Sequence, residues 1–199
     1  NDTRVLWLWN QDKHAAGFPL DPSSGPTSLC NFGYGGQWSV ADLNDILDEE
    51  VDGQAPAYAR AGLQGLRRSA AHGPHVMDLL CGNRVPGDLI NDADVVFIQF
   101  PQKAIADPSG RWLARYALDG LHYIIECAGP GTGCIAVNLS WGPQTGPHDG
   151  SSVLERAIDE LVNEQFDEGR CLIVALPAGN SYGSRAHAQV RYAEGGKLN

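Results

Sequence analysis

Four stretches of this chain carry near-continuous apolar runs: "RVLWLWN" (residues 4–10), "ADVVFIQF" (93–100), "CIAVNLSWG" (134–142) and "CLIVALPAGN" (171–180). A strand wet on one face alternates apolar and polar side chains, whereas a strand covered on both faces has no polar face to supply. Runs of this length and composition therefore predict strands of a parallel sheet held between helices.

Helical patterns fall between those runs. "SVADLNDILDEEV" opens on Ser39, a residue type that caps helix starts, and its Asp42, Asp45 and Asp48 form a charge pattern expected to face solvent. "RWLARYALDGLHYIIECA" repeats its apolar residues at three and four, and "SVLERAIDELVNEQFDEG" opens at Ser151 or Ser152 and stops at Gly169. Strand alternating with helix implies right-handed crossovers and an α/β fold, a doubly wound, mainly parallel sheet flanked by helices. With no repeat and no shift in composition, residues 1–199 are expected to form a single domain. The Gly-, Pro- and Ser-rich stretch from Gln11 to Gln37 is expected to be a long surface excursion, and "AQVRYAE" in the tail to add one more strand.

Charge removes one class of partner. The 14 Lys and Arg stand against 24 Asp and Glu, a formal net charge of −10, and the basic residues do not cluster, so no nucleic-acid partner is expected. No apolar stretch reaches the roughly 18 residues of a membrane span, so no membrane partner is expected either. The chain opens on Asn1 without a basic-then-apolar leader, so any targeting segment is expected upstream, and the compartment is not legible. The five cysteines lack a CxxC pair, which argues against a structural zinc site. Those within apolar runs are expected to be small core residues.

In open α/β sheets functional side chains gather beyond the carboxyl ends of the strands. That rule selects Asn10 and Asp12 after the first run, Ser140 to Pro143 after the third, and Asn180 after the fourth. "AHGPHVMDLLCGN" (71–83) adds His72 at the start of a helix, with Gly73 and Pro74 in its first turn, where Pro removes no hydrogen bond.

These motifs carry a resemblance. "HGPHV" followed by an apolar helix resembles the HGTHV motif of the subtilisin-like serine peptidases, whose first histidine is the catalytic base. "VNLSWG" resembles the family strand that lines the substrate cleft, and "IVALPAGN" the strand whose terminal Asn donates to the oxyanion. "VLWLWNQD" is similar in placement to the strand that ends in the catalytic Asp. The four features come in the family's order and span most of residues 4–182. The resemblance implies a subtilisin-like fold, His72 as general base, Asn180 as oxyanion donor, and Ser140, Trp141 and Gly142 as a strand against which an extended peptide pairs. It implies a peptide or protein substrate, with neither cofactor nor metal called for. His75, three residues from His72 without a nearby carboxylate or Cys, is expected to be structural.

Two departures qualify it. The place of the catalytic Asp holds Asn10, with Asp12 as the alternative orienting group; an amide there can hold the wrong imidazole tautomer, a loss of about 10⁴ in turnover in such triads. The family's Ser motif is missing: Ser184 in "YGSRAHA" follows Asn180 too soon and is expected to be a turn residue, and Cys81, late in an apolar helix, is expected to be inert. The sheet would also lack the helix that follows its fourth run, leaving apolar surface open. The expectation is thus the amino-terminal portion of a subtilisin-like peptidase with its Ser on a second polypeptide, the alternative being a pseudopeptidase that only binds peptides. A nucleotide-binding α/β enzyme is disfavoured, since neither GxGxxG nor GxxxxGK[ST] occurs.

Overall fold

The structure, a computed structural model, describes residues 3–12, 32–48, 71–82, 93–107, 109–143 and 145–185. In chain order these form β1 (Val5–Asn10), β2 (Gly36–Ser39), α1 (Val40–Asp48), α2 (His72–Cys81), β3 (Val95–Gln99), α3 (Gln102–Ile105), α4 (Leu113–Ala128), β4 (Cys134–Asn138), α5 (Val153–Asp167), β5 (Cys171–Ala175) and a 3-10 turn at Tyr182–Ser184. All four apolar runs are strands, each ending within a few residues of where its apolar character stops. The fold is mixed α/β. Cys30, residues 52–70 and the "AQVRYAE" segment lie outside the described residues.

The strands fall into two small sheets, a three-stranded one in the order β2-β1-β3 and a pair β4-β5. β1 runs parallel to β3 and β4 parallel to β5, but β2 is antiparallel to β1. The excursion expected over Gln11–Gln37 thus ends inside the sheet: Gly36 and Gln37 pair with Asn10 and Trp9. Four residues alternating buried and half-buried were too short to register as a strand within a Gly-rich stretch.

β1 is covered on both faces, as its sequence requires. Leu8 packs with Trp38 and Ile46 beneath α1, with Phe97 of β3 at the margin. On the opposite face Trp9, fully buried, stacks on Phe32 at 4.9 Å and on Tyr123 of α4 at 5.0 Å. Tyr34 closes that cluster by donating its hydroxyl to Asp119 Oδ2 at 2.6 Å. Burial, and then the neighbouring carboxylate, push the Tyr34 hydroxyl far above the ordinary tyrosine range, so it stays a proton donor.

Among the described residues the β4-β5 pair is covered on one face only. Ile135 and Leu172 pack with Leu121 and Ile125 of α4 and with Ile158 and Leu161 of α5. Because side chains alternate across a strand, Cys134, Ala136, Cys171 and Ile173 point the other way, where they are exposed, Ile173 by 55%. Here the expectation of core cysteines fails. Cys134 and Cys171 sit side by side in register on the open face, while Cys81 and Cys127 are half-buried. Ile173 and the 51%-exposed Leu176 leave apolar surface open on this side.

Helix starts follow the sequence closely. At α5, Ser152 accepts the N–H of Glu155 while Glu155 accepts the N–H of Ser152, a capping box that decides between the two serines. Ser39 and Asp42 form the same reciprocal pair at α1, and Asp42, Asp45 and Asp48 are exposed as expected.

Candidate active site

α2 begins at His72, following Ala71 in extended conformation with no side-chain cap. It is anchored lightly: none of its residues is buried, Leu79 is 90% exposed, and a Cβ on Gly73 would meet the Phe97 ring of β3 at 3.7 Å. His72 is exposed and makes no hydrogen bond among the described residues. His75 is exposed too, so the structural role expected for it has no packing behind it.

Asn10 ends β1 and is only 2% exposed; its Oδ1 accepts the N–H of Asp12 at 3.0 Å, an Asx-type bond. Asp12 in turn accepts the N–H of Gln102, at the start of α3, at 3.5 Å. Neither residue hydrogen-bonds His72 in this arrangement.

The stretch after β4 is braced from two sides. Thr145 Oγ1 donates to the Ser109 carbonyl at 3.0 Å, and Gly110, at φ 70°, lies so close to Pro143 that a side chain would collide with its ring. Within the stretch, Asn138 Nδ2 donates to Ser140 Oγ at 2.8 Å. Trp141 is 37% exposed and Gly142 is exposed, beside Pro177 of the segment following β5. That segment ends in Asn180, exposed and with no hydrogen bond among the described residues, so its amide is available to a ligand. Gly179 before it adopts φ 86°, a conformation that suits glycine.

These residues share one cavity of about 2720 Å³, whose lining includes Asn10, Asp12, His72, Trp141 and Asn180. No family model, curated protein or solved structure matches the chain.

Sequence reasoning passed over two residues of the lining, His148 and Arg185. Arg185 lies just after the 3-10 turn that holds Ser184, at φ 51°, uncommon for a residue with a side chain. Neither residue stands at a strand end, so the strand-end rule could not select it. Burial pushes the Cys81 pKa up, which disfavours the thiolate, and its Sγ donates to the Met77 carbonyl at 3.2 Å. Among the described residues no cluster of His, Cys, Asp or Glu could hold a metal ion, and no helix is long and apolar enough to cross a membrane.

Proposed function

We propose that this chain is the amino-terminal part of a subtilisin-like serine peptidase that hydrolyses peptide bonds, with its nucleophilic Ser on a second polypeptide. The reading also takes the two sheets as parts of the family's doubly wound sheet. It is carried by one observation: His72, Asn180, Ser140–Gly142, Asn10 and Asp12 all line one cavity, which runs along β3 and β4.

The chemistry follows from those positions. The hydroxyl of the incoming Ser attacks the substrate carbonyl and gives its proton to the His72 imidazole, which passes it to the leaving amine as the C–N bond breaks. Negative charge gathers on the carbonyl oxygen, and the Asn180 amide donates to it there. The backbone of Ser140–Gly142 pairs with the extended substrate, and the exposed Trp141 ring offers its side chains an apolar contact.

Denaturing intact-mass analysis of the purified protein, with and without a fluorophosphonate, tests this. A second polypeptide that takes up the label, and stops doing so in His72→Ala, supports the reading. A single chain of 21.3 kDa that stays folded and takes no label sinks it.

One observation favours a second reading. Asn10 is buried in its own turn and His72 has no orienting partner among the described residues, which fits a pseudopeptidase that binds peptides without cutting them. Peptide binding unchanged in His72→Ala, together with no turnover in Asn10→Asp, would select it.

A further inference from the structure

We infer that Cys134 and Cys171 form a reversible dithiol site on the outer face of the β4-β5 pair, oxidised to a disulfide by low-molecular-weight disulfides. Two observations place the thiols together. The strands are parallel and Cys134 stands directly opposite Cys171, whose N–H bonds to the Gly133 carbonyl at 2.9 Å. Alternation along each strand then decides the side: the next residues, Ile135 and Leu172, are buried against α4 and α5, so both cysteines project outward, where both are exposed. Hydrogen bonding to the Cys171 thiol is the main cause that raises the Cys134 pKa, a mark of contact between the two side chains. Cys81 and Cys127, half-buried on helices, are less open to such reagents.

Their spacing permits a bond and sets its character. Neighbouring strands lie about 4.7–4.9 Å apart, within the roughly 4.4–6.8 Å that separates the Cα atoms of a disulfide. In parallel strands the Cα–Cβ bonds of opposed residues point the same way, so the Cβ atoms start at about the strand spacing, wider than the roughly 3.8 Å usual across the bond. Closure therefore draws the strand ends together. Both cysteines are the first residues of their strands, and Gly131, Gly133 and Gly169 in the loops before them have nothing within 4 Å of where a Cβ would stand, so that movement meets no packing. The strain left in the bond makes it easily reduced, the property of a regulatory disulfide rather than a structural one.

The step balances with one small disulfide, such as oxidised glutathione, as the oxidant. A thiolate of the pair attacks one sulfur of the reagent, forms a mixed disulfide and expels one glutathione thiolate, which takes up a proton. The second cysteine, deprotonated in turn, attacks the protein sulfur of the mixed disulfide and expels the other glutathione. Two protein thiols are oxidised to one disulfide while one glutathione disulfide is reduced to two thiols. The pair opens its strands, whereas Ser140–Gly142 and Asn180 follow their far ends, so it stands apart from the candidate active site whatever that site does.

Incubation of the reduced, folded chain with oxidised glutathione, then digestion without reductant and tandem mass spectrometry, tests the inference. The expected product is a Cys134–Cys171 disulfide within one chain, reopened by excess reduced glutathione. In Cys134→Ser the glutathionyl group stays on Cys171 and accumulates about 10-fold or more above its level in the wild type, because the adjacent thiol that would displace it is missing. Cys171→Ser gives the mirror result at Cys134, and near-UV circular dichroism of the Trp9 cluster checks that each chain is folded. Glutathione on both cysteines without closure, a bond to Cys30, Cys81 or Cys127 instead, a bond between two chains, or no reaction of either thiol in the folded chain overturns the inference. A disulfide that excess reduced glutathione leaves closed overturns it too, since a strained bond reopens. His72→Ala leaves the result unchanged, which separates this test from that of the peptidase reading.

Discussion

β1 and β5 look alike in sequence, each apolar at successive positions, yet they meet different surroundings. β1 has a neighbour on each edge and packing on each face, with Trp9 against Tyr123 on one side and Leu8 against Trp38 on the other. Among the described residues β5 has one neighbour, and only its Leu172 face is packed. Composition states that both faces of a strand are fit to be covered; it does not state that the cover lies in the same chain. The two halves also share out the site, Asn10 and Asp12 standing on the β1 side, Ser140–Gly142 and Asn180 on the other.

Mutations can break this contrast, and the largest effect is expected where cover is complete. Trp9→Ala removes a fully buried ring that stacks on two others, and urea denaturation should show a loss of about 3–5 kcal/mol. On the proposed function, Asn180→Ala lowers kcat of the assembled enzyme by about 100- to 1000-fold with stability unchanged, since the side chain touches nothing it would leave unpaired. Leu172→Ala costs about 2–5 kcal/mol, while its neighbour Ile173→Thr stays within about 0.5 kcal/mol. Equal losses at those two positions would show that the outer face is packed in solution and remove the contrast.

Two smaller effects sharpen it. Ser152→Ala breaks the capping box of α5 and costs about 1 kcal/mol by the same measurement. The Ser152 hydroxyl and N–H hold the Glu155 carboxyl below its ordinary value, so the stabilisation is present above the unfolded carboxylate pKa and is lost as pH falls through the lowered folded value. The gap between wild type and variant should therefore narrow on acidification. On the open face, the Cys171 thiol beside Cys134 raises the Cys134 pKa and leaves less thiolate at pH 8. Cys171→Ala should speed alkylation of Cys134 by iodoacetamide at that pH; an unchanged rate would show that the two thiols do not interact.

Strand identity, helix starts and the strand-end placement of the candidate residues were legible because each rests on local pattern. Continuous apolar runs marked β1, β3, β4 and β5, a Ser ahead of a helical pattern marked α1 and α5, and strand ends marked Asn10, Ser140 and Asn180. Three features were hidden. β2 escaped because its pairing with β1 connects residues far apart in a Gly-rich stretch. Cys134 and Cys171 were expected inside because an apolar run does not say which face stays open. His148 and Arg185 reach the cavity only through the path of loops.

By itself the sequence determined which segments are strands and helices, and that its strands are fit for cover on both faces, since these follow from periodicity and composition over a few residues. Only the tertiary structure decided which strand pairs with which, that β3 and β4 line a common cavity, and that the candidate residues line it together. Pairing depends on contacts between residues distant in the chain, and no local pattern encodes which strands will meet.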